Sequence, residues 1–297
     1  MWFFIALLAS ALYAVAEAMD NFFVNKEFKH PLTLVFFAYL FGIIYIPALI
    51  LIQHPAFPPL YTLPLFILLG FVNMGYLYPY YKGLREDDTS VAISFLAIER
   101  IMVPILAFFV VGEILDPTQY VGIFIIVIAV FALGLHHARK KFRLSKGVWY
   151  ISCAALFLAC EAVLLKLLFV EGVSVATAIC GEAIVSMVFG ISVIFSKRIR
   201  KDVIASTPLF LKLSPLFFIE EMFTFGGLYA EGWAISNTSV SVVKGITMIS
   251  PFFLMFYAWF GRDMFPKFFK EDLHRGKVFK KTLLFILIIV GIFLVKD

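Results

Sequence analysis

The chain has 297 residues, of which 62% are hydrophobic and only 15% are charged, and its mean hydropathy is +0.98. Soluble globular domains have about half apolar and roughly a quarter charged residues, so this composition excludes a water-soluble fold. The net charge of +5 comes from basic residues in a few short segments, which is typical of membrane orientation signals. We therefore expect an integral membrane protein that binds no nucleic acid.

Ten apolar segments of spanning length follow one another along the chain. A helix needs about 20 apolar residues to cross a hydrocarbon core of about 30 Å. The first segment lacks the basic region and the cleavage pattern of a secretory signal, so we expect it to be retained. The predicted spans are residues 2–24, 31–52, 63–82, 89–111, 117–136, 147–170, 174–196, 208–230, 237–261 and 279–295.

Lysine and arginine residues cluster after alternate spans. They follow spans one, three, five, seven and nine, whereas the segments after spans two, four, six and eight contain none. The positive-inside rule places the basic segments in the cytoplasm and both termini outside. We expect a multi-pass protein of a prokaryotic cytoplasmic membrane. The basic segment 261–280, with Phe265, Phe268 and Phe269, could alternatively lie on an anionic lipid surface.

The two halves of the chain share short patterns at fixed offsets. Residues 11–18 resemble residues 155–162, and residues 80–91 resemble residues 229–240. Five spans in each half force the second half to enter the membrane upside down, and the basic segments are reversed accordingly. We predict an all-α membrane protein of ten transmembrane helices in two inverted repeats, residues 1–142 and 143–297. Alternating access uses this architecture.

Several motifs in the first half carry a family resemblance. With its two five-helix halves, the chain resembles the EamA-like drug/metabolite transporters in the stretch from Tyr80-x-x-Gly83 to Thr89-Ser90-Val91, Pro104, Gly112-Glu113, and Gly122 through Gly134. The second half keeps the proline as Pro251, but Gly261-Arg262-Asp263 replaces the Gly-Glu pair. The predicted orientation also departs, because family members are expected to keep both termini in the cytoplasm.

A narrower resemblance concerns spans one and six. The segment 158–166, and less closely residues 15–18, are similar to the first helix of the small multidrug resistance exporters. In those exporters a glutamate of this helix is shared by substrate and protons. The resemblance thus makes Glu17 and Glu161 the candidate proton- and substrate-binding residues.

Ionisable residues inside the predicted spans are the candidate functional residues. A charge at the bilayer centre costs roughly 2.5–3.5 kcal/mol, so such residues are expected to face a wet cavity or one another. Lys166 is expected to reach the interface. The substrate- or proton-binding candidates are Glu17, Glu99, Arg100, Glu161, Glu182, Glu220, Glu221, Lys244 and Tyr80.

The candidate residues admit different roles. Glu17 and Glu161 occupy equivalent places in the repeat, where burial favours the neutral carboxyl group and lets a proton compete with a cationic substrate; each could instead be a structural hydrogen-bonding group. Arg100 could hold a substrate carboxylate or form an ion pair with Glu99 or Glu182.

The remaining candidates also leave alternatives open. We expect one of Glu220 and Glu221 to face the cavity. Lys244 could respond to substrate or act as a fixed counter-ion. The tyrosine cluster is expected to anchor at the membrane interface, with an aromatic cavity wall as the alternative; its members are Tyr76, Tyr78, Tyr80 and Tyr81.

The sequence offers no enzyme signature and implies no cofactor. It contains no P-loop, HExxH or GxSxG motif, and its three cysteines lie in apolar runs. We expect a secondary transporter that exports small organic metabolites such as amino acids, with proton antiport as one energy source. A multidrug organic-cation exporter and a non-transporting membrane scaffold or lipid-handling protein are the alternatives.

Overall fold

The computed structural model describes residues 1–24, 28, 30–86, 95–137, 146–261 and 275–296, and within them all regular structure is helical. Short 3-10 turns occupy Leu60–Thr62 and Val193–Phe195. The helices are α1 (Trp2–Phe22), α2 (Pro31–Leu40), α3 (Gly42–Gln53), α4 (Leu63–Glu86), α5 (Ala97–Val111), α6 (Pro117–His137), α7 (Lys146–Val170), α8 (Val175–Ser192), α9 (Lys197–Asn237), α10 (Val240–Thr247), α11 (Ser250–Gly261) and α12 (Arg275–Lys296).

The helices confirm an all-helical, multi-pass membrane protein. Each predicted span overlaps at least one of these helices. Length and apolar composition alone qualify six helical segments to cross a membrane, so the ten-span inverted repeat stays a prediction. These segments are Trp2–Asp20, Pro31–Gln53, Leu60–Glu86, Lys146–Val170, Val175–Phe195 and Lys197–Asn237.

Some predicted features lie outside the described residues. They include the Thr89-Ser90-Val91 motif, the pair Arg262-Asp263, Lys26 and Lys29 after span one, the basic residues of 139–143 after span five, and the phenylalanines 265, 268 and 269.

Helix α9 corrects the predicted limits of span eight. The prediction placed a basic loop before residue 208 and ended the span at residue 230, but α9 is a single helix of 41 residues from Lys197 to Asn237. Lysine and arginine are good helix formers, so a basic segment that is too polar for the hydrocarbon core still continues the helix. At its other end α9 brings Glu231 into the protein interior, where it is 4% exposed.

The predicted ninth span is interrupted at its centre. Helix α10 ends at Thr247 and α11 begins at Ser250. The residue before a proline is disfavoured in the helical conformation, and Ser250 precedes Pro251. The freed carbonyl of Thr247 accepts a hydrogen bond of 2.9 Å from Ser10 Oγ of α1, which satisfies the broken helix inside the protein.

The start of α10 is held by a residue from another helix end. Glu113 follows α5, and its carboxylate accepts hydrogen bonds from Ser239 Oγ at 2.8 Å, from the Val240 N–H at 2.9 Å and from the Ser241 N–H at 3.1 Å. Free N–H groups at a helix start favour a negative charge. Glu113 therefore ties the end of span four to the start of span nine.

The main helix contacts join the two halves of the chain. Helix α7 of the second half packs against α4 and α5 of the first half. Helix α1 of the first half packs against α9, α10 and α11 of the second half. Helix α6 packs against α12. Between α6 and α12 the backbones approach closely at Gly122 and Gly291, where an added Cβ on Gly291 would stand 2.9 Å from the Gly122 carbonyl oxygen. Close approach through small residues is typical of membrane helices.

Polar and apolar side chains are distributed as expected for a protein surrounded by lipid. Large apolar side chains point outward, and Phe4, Leu51 and Phe109 are each more than 70% exposed. Acidic and basic side chains are instead buried between the helices. The interior of the bundle is therefore the place to look for a site.

Candidate functional site

Two adjoining cavities lie at the centre of the helix bundle. The central cavity has a volume of about 170 Å³ and is bordered by α1, α4, α5, α7, α9, α10 and the first residue of α11. At about 30 Å³ for each water molecule, this volume corresponds to about six of them. The ionisable residues in its wall, apart from tyrosines, are Glu17, Asp20, Glu99, Arg100, Glu161, Glu231 and Lys244.

The second cavity, called the side cavity below, has a volume of about 100 Å³. It lies between α1, α2, α4, α8, α9 and the first residue of α3. The residues that it shares with the central cavity are Asp20, Asn73, Tyr76, Thr224 and Leu228. Its ionisable residues, apart from tyrosines, are all acidic: Asp20, Glu182, Glu220 and Glu221.

Lys244 connects two carboxylates in the wall of the central cavity. Its Nζ lies 2.9 Å from Glu231 Oε2 and 3.2 Å from Glu99 Oε1, and Glu99 also forms an ion pair with Arg100. The Arg100–Glu99 pair is one of the arrangements that the sequence left open. The cluster contains two positive and two negative groups, so each basic side chain has an acidic partner.

Glu231 is a member of the site that the sequence analysis missed. Besides Lys244, it accepts hydrogen bonds of 3.1 Å from the Tyr13 hydroxyl and of 3.1 Å from Thr247 Oγ1. Its position one residue beyond the predicted end of span eight excluded it from the candidates. The repeat contained a usable signal, because Glu231 lies within the matched segment 229–240.

Glu17 and Asp20 lie one turn apart on α1 and both reach the central cavity. Glu17 accepts hydrogen bonds from Ser250 Oγ at 3.1 and 3.2 Å, and Asp20 accepts one from the Tyr81 hydroxyl at 3.1 Å. Glu17 was expected here, whereas Asp20 and Ser250 were not. Ser250 is the first residue after the helix break.

Glu161 of α7 and Glu182 of α8 are both buried between the helices, where they are 7% and 1% exposed. Asn73 Nδ2 donates to Glu182 Oε1 at 2.9 Å, while Asn73 Oδ1 accepts from the Tyr39 hydroxyl at 2.7 Å. Glu161 faces the central cavity and Glu182 faces the side cavity.

The structure changes the expectation for three other groups. Tyr76 and Tyr80 line the central cavity, so the alternative of an aromatic cavity wall describes them better than interface anchoring. Both Glu220 and Glu221, and not one of them, line the side cavity. Lys166, which was expected to reach the interface, has two partners at the end of α9: it donates to the carbonyl oxygens of Ile235 and Thr238, at 2.9 and 2.7 Å.

The two cavities contain more acidic than basic side chains. Among the residues that the structure describes, Lys244 and Arg100 are engaged by Glu99 and Glu231. The six further carboxyl groups of the cavities include four that meet hydroxyl or amide donors, namely Glu17, Asp20, Glu182 and Glu220. An excess of carboxyl groups suits the binding of protons and of cations such as amines. No group of three or more acidic, histidine or cysteine residues in the described ranges is placed to hold a metal ion.

Comparisons with known proteins agree with the sequence resemblance and with the fold. Residues 1–135 match the EamA-like transporter family, which confirms the resemblance over that part of the chain. A solved crystal structure is similar over 98% of each chain, with a TM-score of 0.68 and 12% sequence identity; at that identity it shows the fold alone. No curated protein matches the chain in sequence.

Proposed function

We propose that this protein, whose first 135 residues are EamA-like, is a secondary transporter of small organic molecules that carry a positively charged amino group. The observation that carries the proposal is the central cavity, whose wall holds five carboxyl groups and two basic side chains that are already engaged by two of them. Intramembrane ionisable residues that face a cavity are typical of substrate and ion pathways.

Alternating access between two inverted halves is the mechanism that the helix packing favours. A two-fold relation between the halves exchanges span one with span six and span three with span eight. The two-fold relation therefore exchanges the α4–α7 contact with the α1–α9 contact. It likewise exchanges the α5–α7 contact with the contacts of α1 to α10 and α11. All of these contacts are present. The broken helix α10–α11 beside the cavity is a further feature of transporters built in this way.

Amino acids and organic cations are the two substrate classes that fit the cavity. An amino acid offers an ammonium group to the surplus carboxyl groups, but its carboxylate would need Arg100 or Lys244. Glu99 and Glu231 already engage both of these residues. This pairing supports organic cations that lack a carboxylate as the second candidate substrate. Proton exchange supplies the driving force in this proposal, with Glu161 and Glu17 as the proton-sensitive carboxyl groups and export as the direction.

Transport by reconstituted protein tests the proposal. Proteoliposomes under an imposed pH gradient should be offered three matched compounds: an amino acid, the amine formed by its decarboxylation, and the carboxylic acid that lacks its amino group. We expect flux of the amine, of the amino acid or of both, and none of the acid. Flux of the acid alone would contradict the assignment of the carboxyl-rich cavity to a cationic group.

Two variants separate a transporter from a membrane scaffold. Glu161→Gln should abolish the pH response of flux while the protein still elutes as a folded species. Glu171→Gln, which changes an exposed carboxyl group, should behave like the wild type. If no compound is transported and Glu161→Gln changes only stability, the scaffold interpretation replaces the transporter.

A further inference from the structure

The side cavity contains two buried carboxyl groups that have unused hydrogen-bonding capacity. Glu182 of α8 is 1% exposed, and its Oε2 atom has no hydrogen-bond partner among the residues that the structure describes. Glu221 of α9 is 9% exposed, and within the same part of the chain its side chain takes part in no hydrogen bond or ion pair. A buried acceptor without a donor is unfavourable, so a ligand that brings donors into this cavity would satisfy both groups.

Neighbouring residues hold Glu182 in place and leave one of its oxygens free. The Tyr39 hydroxyl donates to Asn73 Oδ1 at 2.7 Å, which orients the amide so that Asn73 Nδ2 donates to Glu182 Oε1 at 2.9 Å. All three residues line the side cavity. The carboxyl group is therefore fixed at the cavity wall with its second oxygen available.

The wall of the side cavity suits an ammonium group better than a metal ion. Its carboxyl groups are spread over α1, α8 and α9, and in the described ranges no three acidic, histidine or cysteine side chains converge as metal ligands. An ammonium group brings three N–H donors and is attracted to aromatic rings. Tyr39, Tyr76 and Phe225 supply such rings in this wall.

The side cavity is small enough for one ammonium group to approach both free carboxyl groups. Its volume of about 100 Å³ corresponds to about three water molecules. No basic side chain belongs to the described part of its wall. A cation that enters therefore meets negative groups without competition from a lysine or arginine of the wall.

Helix α9 shows how the two cavities follow one another. Glu221 lines the side cavity, Thr224 and Leu228 line both cavities, and Glu231 lines the central cavity. At 1.5 Å per residue, the segment from Glu221 to Glu231 extends over about 15 Å. The two cavities thus form one elongated space with carboxyl groups in both parts, and a molecule with a single ammonium group can neutralise only one part at a time.

We propose that the two cavities together bind one linear aliphatic diamine, with one ammonium group in the central cavity and the other beside Glu182 and Glu221 in the side cavity. Tyr76 and Leu228 line both cavities and provide apolar surface for the methylene chain between the two charges. The central ammonium position rests on the proposed function, whereas the second position follows from the side cavity.

Binding of two matched amines to the purified full-length protein tests the diamine site. 1,5-Diaminopentane and pentylamine differ only in the second amino group, and ligand-dependent thermal stabilisation gives an affinity for each. The diamine should bind roughly ten-fold tighter or more, because it gains a further charge-assisted contact. 1,2-Diaminoethane, which is too short to reach from one cavity into the other, should lose this advantage. Equal affinities of pentylamine and 1,5-diaminopentane for the wild type would overturn the diamine site without any variant.

Three variants locate the second ammonium group. Glu182→Gln and Glu221→Gln should each bring the ratio of the two affinities close to one. Ala183→Leu should do the same, because it fills the side cavity without changing a charge, and it replaces a glutamine variant that does not fold. Glu171→Gln changes an exposed carboxyl group and should keep the wild-type ratio. An unchanged ratio in a folded side-cavity variant would contradict the placement of the second ammonium group.

Flux measurements in proteoliposomes separate this inference from the proposed function. Flux of pentylamine combined with equal affinities for the two amines would keep the transporter and overturn the diamine site. Tighter binding of the diamine without flux of any amine would keep the two-cavity site and overturn the transporter. Binding of neither amine would overturn both.

Discussion

Lys244 is the residue on which the charge balance of the central cavity depends. Its ammonium group lies between the carboxylates of Glu231 and Glu99 and contacts both, and the side chains of all three residues are at most 10% exposed. Burying charges of this kind is favourable only when they are paired and hydrogen-bonded. Lys244 therefore acts first as a fixed counter-ion.

Replacement of Lys244 should destabilise the protein strongly. Lys244→Met removes one partner of a buried ion pair, which costs about 3–5 kcal/mol, and leaves two carboxylates side by side. We expect a large fall in the melting temperature of the detergent-solubilised protein. The double variant Lys244→Met/Glu231→Gln should recover part of the loss, because it removes one of the uncompensated charges. Equal stability of Lys244→Met and wild type would show that the ion pair does not support the fold.

The sequence located most of the charged residues of the site and, as an open alternative, one of their pairings, that of Arg100 with Glu99. All eight charged candidates line one of the two cavities. A charged side chain in a membrane span is costly to expose to lipid, so its presence in an apolar segment predicts an inward position. Asp20 and Glu231 were not among the candidates, because they lie near the predicted ends of spans one and eight. The pairing of Lys244 with Glu99 depends on the contact of α10 with α5, which no local pattern reveals.

At the scale of helices, the cap that Glu113 places on α10 is the most specific connection. This helix has only eight residues, and short helices depend on partners outside themselves. Two of its first N–H groups and the Ser239 hydroxyl all use the Glu113 carboxylate. The same glutamate belongs to the Gly112-Glu113 motif, so the structure gives that motif a mechanical role.

Removal of the Glu113 carboxylate should loosen the start of α10. Glu113→Ala leaves hydrogen-bond donors without their acceptor, at a cost of about 1–3 kcal/mol for each one that water does not reach. We expect a lower melting temperature and faster amide hydrogen exchange at Val240 and Ser241. Glu171→Ala provides the exposed control. If exchange at these two amides stays unchanged, the cap does not restrain α10.

Glycine contacts make a second prediction for helix packing. An alanine at position 291 would place its Cβ 2.9 Å from a backbone oxygen of α6, so Gly291→Ala should force α6 and α12 apart and lower the stability by about 1–3 kcal/mol. Gly226 of α9 is the matched control, since its added Cβ would meet only Leu12 Cδ1 at 3.4 Å. Thermal unfolding of the two variants should therefore differ, and similar values would contradict a close α6–α12 contact.

At the scale of the whole molecule, hydropathy predicted the helical segments well and their limits less well. Spans one and six agree with α1 and α7 within two residues at either end, because polar residues flank them. The predicted limits of span eight were wrong, because hydropathy detects only apolar segments and the basic start of α9 is helical without being apolar. The break between α10 and α11 stands at Pro251, which is visible in the sequence, whereas the hydrogen bond from Ser10 that satisfies the freed carbonyl is a tertiary contact that periodicity does not reveal.

Orientation in the membrane is a prediction of the whole chain. The basic segments place both termini outside the cytoplasm if ten spans are correct. A reporter that is active only in the cytoplasm, fused to the C-terminus, should therefore be inactive, and the same reporter inserted at residue 142 should be active. An active C-terminal fusion would contradict either the orientation or the number of spans.

Helix α9 has a length that the bilayer does not require. Its 41 residues extend over about 60 Å, roughly twice the thickness of the hydrocarbon core. One end carries Glu231 at the central cavity, and the other end carries the basic residues from Lys197 onward. When such a long helix tilts about its inner end, its remote end moves further than the inner end. Pro208 and Pro215 are the positions at which the helix can bend instead. A spectroscopic label near Lys197 would thus report the state of the cavities from a position that touches neither of them.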